Sequence, residues 1–149
     1  MPHRVRQVEA IEAGTVIDHI PSDMTLEVAH LLVEPEDQYF IGANLRSGQM
    51  GHKGVVKIAG KELSDATISR LALVAPGATM SIIRDYKVCS KHRVPIPERF
   101  TGIASCPNPN CITNHEVIST EFDVVDQQVL TLRCRHCERR FPADEVEII

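Results

Sequence analysis

The chain has 149 residues, 43% hydrophobic and 24% charged, with a formal net charge of −4, which fits one compact domain or two small ones and argues against disorder. Aromatic residues are only 4% and Trp is absent, so the core must be built from Val, Ile, Leu and Ala in small layers. No apolar run approaches the ~18 residues of a membrane span, and the opening MPHRVRQVEAIEAG lacks the apolar stretch of a signal peptide. The expected location is the cytoplasm, where thiols stay reduced and paired cysteines read as metal ligands.

In chain order, TVIDHI (residues 15–20) reads as a short strand. SDMTLEVAHLLV follows as a helix capped by Ser22 or Asp23, with Leu26, Ala29, Leu32 and Val33 at helical spacing. QYFIGANL and GVVKIAG are strand-like runs joined by the turn-rich RSGQMGHK, hence a hairpin. LSDATISRLALVAP predicts a second helix, capped by Ser64, presenting Ile68, Leu71, Ala72 and Ala75 on one face and stopping at Pro76. ATMSIIRDYKVCSKHR supplies one or two further strands. The order β-α-β-β-α-β predicts an α+β fold, a ferredoxin-like sandwich with helices on one face of an antiparallel sheet. PIPERFTG (residues 95–102) marks a boundary, dividing the chain into domains 1–97 and 98–149.

Beyond that boundary, Cys106, Cys111, Cys134 and Cys137 follow the pattern C-x4-C-x22-C-x2-C. Two tight turns each supplying two thiolates suit a tetrahedral Zn2+ site, one ion per chain. Four thiolates close the coordination shell, which makes the zinc structural rather than catalytic. Between the pairs, Ile118, Thr120, Phe122 and Val124 alternate onto one strand face, DQQ reads as a turn, and VLTLRC returns as a second strand. About fifty residues bury little apolar surface, so the metal stands in for missing core.

Motifs for catalysis are absent: no P-loop, G-x-G-x-x-G, nucleophile elbow or H-E-x-x-H. Asp18 and His19 are adjacent on a strand, point to opposite faces and make a poor acid-base dyad. The fifth cysteine, Cys89, reads as a small packing residue. Residues 1–100 carry 12 Lys+Arg and 12 Asp+Glu, while residues 101–149 carry 4 and 8 and hold the whole net charge of −4. An acidic cysteine unit is a poor match for phosphate-gripping zinc ribbons, so nucleic-acid binding is the second reading. A free-standing metabolite sensor is a third.

QVEAIEAGTVIDHIP, SGQMGHKGVVKI, LALVAPGATM, VPIPERF and CPNPNCITN…LRCRHCERRF together make the chain similar to the regulatory chains of aspartate carbamoyltransferase, over nearly its whole length. The resemblance implies a non-catalytic chain with a nucleotide-binding allosteric domain and a zinc domain that docks on the catalytic chain. It implies pairing with a second copy of itself, CTP as inhibitor, ATP as activator and, in some members, UTP reinforcing CTP; nucleic acid and membranes are not among the implied partners. By position in the family pattern, Asp18 would accept ribose hydroxyls and Lys57 would meet base and ribose. Lys91 would meet the triphosphate, with His19 and Arg93 near the phosphates. Backbone groups of Ile11 and Tyr86 would read the exocyclic amino group, while Glu9, Ala10, Val16, Ile83 and Val88 would line the pocket. Lys53 matches a lysine near a second nucleotide position. Ser81 and the opening MPHRVR depart from the best-studied members. Asn108, Asn110, Arg135 and Glu138, on the ligand turns, would contact the catalytic chain.

Overall fold

The computed structural model describes residues 10–149. Strand β1 (Gly14–Ile20) alternates, with Thr15 and Ile17 fully buried and Val16 and Asp18 half-buried on the opposite face. Helix α1 (Thr25–Leu32) buries Thr25, Val28, Ala29 and Leu32, spaced i, i+3, i+4, i+7. Leu26, expected on that face, is 70% exposed because it lies one residue, or about 100°, off the stripe. The expected side-chain cap is absent too: a 3-10 turn (Ser22–Met24) leads into the helix, and Thr25 Oγ1 donates to the Ser22 carbonyl at 2.8 Å.

Strands β2 (Tyr39–Ser47) and β3 (Gly51–Ala59) pair antiparallel through most of the stretch that reads as a turn, leaving only residues 48–50 between them. Gly54 has no room for a side chain, since a Cβ would lie 1.8 Å from Thr25 Oγ1, and this contact seats α1 against β3. Helix α2 (Asp65–Val74) begins at Ser64, whose side chain accepts from the Thr67 amide, and buries Leu71, Ala72 and Leu73. Strands β4 (Thr79–Arg84) and β5 (Lys87–Arg93) form a second hairpin whose turn residues, Asp85 and Tyr86, both have positive φ, the backbone of a type I′ turn. The sheet order is β2-β3-β1-β4-β5, antiparallel throughout. This is the expected α+β ferredoxin-like arrangement with β5 added at one edge. Cys89 sits on that edge, exposed, so the packing role expected of it does not hold.

Strands β6 (Arg99–Thr101), β8 (Glu121–Asp126), β9 (Thr131–Cys134) and β10 (Arg140–Pro142) form a second sheet, while β7 (Ala104–Ser105) pairs with the terminal β11 (Glu147–Ile148). Phe100, Phe122 and Leu132 form its core at 0–1% exposure. The strand expected from Ile118 starts only at Glu121, because residues 112–120 turn around the cysteine cluster: Ile118 is 37% exposed and Thr120 tethers this stretch by donating to the Ala104 carbonyl. A 3-10 turn at Ala143–Glu145 packs on α2, and a cleft of about 1030 Å³ lies between α1, α2 and the C-terminal segment. Among the described residues no helix is long and apolar enough to cross a membrane.

Candidate functional site

The four cysteines converge from two turns. Cys106 follows β7 and Cys111 closes the next turn; Cys134 ends β9 and Cys137 lies in the turn to β10. The Sγ atoms of Cys106 and Cys137 are 3.7 Å apart, those of Cys111 and Cys134 3.8 Å, and the four lie within 4.8 Å of one another. These separations far exceed the ~2.05 Å of a disulfide.

Sequence chemistry explains the turns. Asn108 Oδ1 accepts from the Asn110 amide at 3.1 Å and its carbonyl accepts from the Cys111 amide at 3.0 Å. Asn114 Nδ2 donates to the carbonyls of Cys106 and Asn108 at 3.0 and 2.7 Å. Glu138 takes a φ of +67° so that its amide reaches the Cys134 carbonyl at 2.8 Å. His136, between the second pair of ligands, turns away and donates through Nε2 to the Ser119 carbonyl at 3.1 Å.

Burial pushes the Cys106 thiol well above the ordinary range and raises that of Cys134. Burial also raises Cys137, but the Arg139 amide, the Asn108 side chain and the neighbouring thiols outweigh it and bring Cys137 down to about 7. Cys137 ionises readily while Cys106 and Cys134 resist ionising beside it, a conflict that a bound cation resolves. Thr113 Oγ1 donates to Cys111 Sγ at 3.2 Å. The residues fit a closed four-thiolate metal centre.

The second site lies on the face of the large sheet away from the helices. Alternation along β1 and β3 puts Val16, Asp18, Lys53, Val55 and Lys57 on that face, and β4 adds Ser81 and Ile83. A bulge in β5 opposes Ser81 to Lys91 and Ile83 to Val88, so Val88 and Lys91 face the same way despite their odd spacing. With Ala10, Leu45 and Arg46 these residues line a cavity of about 460 Å³. Among the described residues it carries four cations, Arg46, Lys53, Lys57 and Lys91, against one carboxylate, Asp18, a balance that favours an anion.

Asp18 is held by Lys53 at 2.9 Å, and its Oδ1 accepts the His19 amide at 2.6 Å. Burial raises its pKa, but Lys53 and that amide together bring it below the usual carboxylate value. His19 adopts a φ of +57° at a bulge in β1 and turns its Nδ1 to Thr79 Oγ1 at 3.0 Å. The carboxylate therefore meets the backbone of His19, not its imidazole.

Of the residues singled out from the sequence, Asp18, Lys57 and Lys91 line the cavity with Ala10, Val16, Ile83 and Val88. Ile11 is buried beside it, and Tyr86 stands at the hairpin tip, 68% exposed, its amide donating to the Glu12 carbonyl at 2.9 Å. Arg93, two residues beyond Lys91, lines a different cavity at the junction with the second sheet. Glu9 lies outside the described residues. Leu45, Arg46 and Val55 escaped the sequence analysis, although the alternation Lys53-Val55-Lys57 carried the signal. On the ligand turns, Asn108 is 6% exposed and occupied in its own turn, whereas Asn110, Arg135 and Glu138 are more open. Arg135 pairs with Asp123 at 3.2 Å, and Glu138 with Arg133 at 3.4 Å.

Comparison with known proteins bears on both sites. The family model described as aspartate carbamoyltransferase regulatory chain, allosteric domain, matches residues 6–95, and that of the metal binding domain matches residues 98–147. The regulatory chain of aspartate carbamoyltransferase from Thermococcus kodakarensis is 42% identical over 149 residues, covering 98% of this chain and 97% of its own. Those of Porphyromonas gingivalis and Pyrococcus abyssi are 44% and 43% identical over 144 residues, each covering 95% of its own length and 95% and 94% of this chain. The chain belongs to the family of aspartate carbamoyltransferase regulatory chains, non-catalytic subunits that join an allosteric domain to a metal-binding domain.

Proposed function

We propose that this chain binds nucleotides on the open face of its large sheet and passes their effect to the catalytic chain of aspartate carbamoyltransferase, with CTP inhibiting, ATP activating and UTP reinforcing CTP. The observation that carries the reading is the gathering of Asp18, Lys57 and Lys91 in one cationic cavity. Lys91 meets the phosphates, Asp18 accepts ribose hydroxyls and Lys57 meets base and ribose. Ile11 and Tyr86 supply backbone groups for the amino substituent that CTP and ATP share, and His19 and Arg93 lie toward the phosphate end. Residues 1–97 act as the allosteric domain and residues 98–149 as the docking domain, in the cytoplasm.

The metal is Zn2+, one per chain. A tetrahedron with Zn–S bonds of ~2.3 Å has S···S edges of about 3.8 Å, in accord with the 3.7 and 3.8 Å separations here. Its role is structural, fixing the turns that carry Asn108, Asn110, Arg135 and Glu138 for contact with the catalytic chain. Beside them the apolar Ile112, Val117 and Ile118 are exposed at 45%, 108% and 37%, a surface suited to burial against a partner.

Pairing with a second copy uses the β2 edge. Tyr39 and Ile41 on that edge and Leu26 beside it are exposed apolar groups, whereas the β5 edge carries Lys87, Lys91, His92 and Arg93, charges that oppose edge-to-edge pairing. Calorimetric titration of the full chain tests the nucleotide site. ATP and CTP should both bind the wild type, and Lys91→Ala should weaken both about tenfold, the worth of a hydrogen bond to a charged group. Undiminished binding by Lys91→Ala would place the effector site elsewhere.

A further inference from the structure

Arg93 is the last residue of β5, one side-chain step of about 7 Å beyond Lys91 on the same strand face. It does not share the cavity of Lys57 and Lys91. With Pro76, Gly77 and Ile96 it lines a separate hollow of about 470 Å³, whose far wall is Gln127 and Gln128 in the β8–β9 turn of the metal-binding unit. That turn is held by Asp126, whose Oδ1 accepts the amides of Gln128 at 2.9 Å and Val129 at 3.2 Å. The backbone is thus fixed, while among the described residues neither glutamine side chain has a hydrogen-bond partner and Arg93 has no carboxylate partner. A guanidinium and two amides facing a hollow at the end of a cationic sheet face are complementary to phosphate oxygens.

We propose that the outer phosphates of a bound nucleoside triphosphate reach this hollow, where Arg93 and the side-chain amides of Gln127 and Gln128 hold them, so that the metal-binding unit itself reads phosphate-chain length. The proposal rests on the nucleotide reading above. A nucleoside monophosphate would occupy the sheet-face cavity alone, and a triphosphate would bridge the two units. The β8–β9 turn then becomes a specificity element. Its hairpin runs directly to Cys134, and so couples the phosphates to the metal centre.

The test is calorimetric titration of the metal-loaded full chain with ATP and with AMP. Wild type should bind ATP more tightly than AMP. Gln127→Ala/Gln128→Ala, in an exposed turn whose backbone bonds depend on Asp126, should lose about tenfold in ATP affinity, the scale of hydrogen bonds to charged groups, and keep its AMP affinity. Gln127→Glu/Gln128→Glu should lose more for ATP through like-charge repulsion, again sparing AMP. An ATP-to-AMP ratio unchanged from wild type in both variants overturns the bridge while leaving the sheet-face site standing. Equal loss of ATP and AMP overturns it as well, since the turn would then act on the whole site. Failure of wild type to bind either nucleotide overturns both readings.

Discussion

Asp18 illustrates how a single side chain is set by its neighbours. Lys53 and the His19 amide hold it ionised, so it presents acceptor oxygens at neutral pH. Its pKa in the folded chain lies below its unfolded value, so its contribution to stability is full above the unfolded pKa of ~3.9 and is lost as pH falls through the lower, folded value. Acid unfolding followed by circular dichroism should therefore become less steep below about pH 4 in Asp18→Asn. An unchanged acid limb would mean that the Lys53 pair contributes nothing. Lys57, proposed to meet base and ribose, gives a different residue-level expectation: Lys57→Ala should disturb ATP and CTP unequally in competitive titrations, where Lys91→Ala should disturb them alike.

At the level of elements, close approach and metal ligation replace large core volume. Adding a methyl at Gly54 drives it into Thr25, so Gly54→Ala should destabilise the first unit by about 1–3 kcal/mol in urea unfolding, the usual cost of overpacking. The cysteine unit should depend on a bound metal in the same direct way. Metal binding in such small units is worth on the order of 10–16 kcal/mol, so chelation or Cys134→Ala should unfold residues 101–149 and spare most of the five-stranded sheet, as amide exchange would report. Helix α2 was legible because Ser64, the apolar spacing and Pro76 agree, and the cysteine cluster because ligand spacing is a local code. The register of α1 was not, since Leu26 and Val28 are equally apolar and only packing selects Val28. Strands of two or three residues such as β7, β10 and β11 have no period to read and exist through tertiary pairing. The β5 bulge, which brings Val88 and Lys91 onto one face, likewise follows from pairing with β4.

On the scale of the whole molecule, the cationic cavity and the cysteine cluster stand on different sheets, and buried side chains from Ile17 to Val146 form one continuous cluster between them. A nucleotide acts through such a body only by preferring one of its states, with coupling of about 1–3 kcal/mol for typical allosteric pairs. The chain should co-purify with a carbamoyltransferase catalytic chain and lose that partner when the metal is removed. Its charge division, neutral before residue 101 and acidic after it, was visible in the sequence; the contact of the two units was not, because it joins elements as far apart in the chain as α2 and the 3-10 turn at Ala143–Glu145. The most direct test of the central claim is an aspartate titration of the reconstituted enzyme with and without CTP or ATP, for wild type and for Lys91→Ala. The account predicts that CTP and ATP shift the wild-type curve in opposite directions by several-fold to about a hundredfold in aspartate affinity, and that Lys91→Ala keeps full turnover while both shifts shrink. Full, unaltered responses to both nucleotides in the Lys91→Ala enzyme would contradict it.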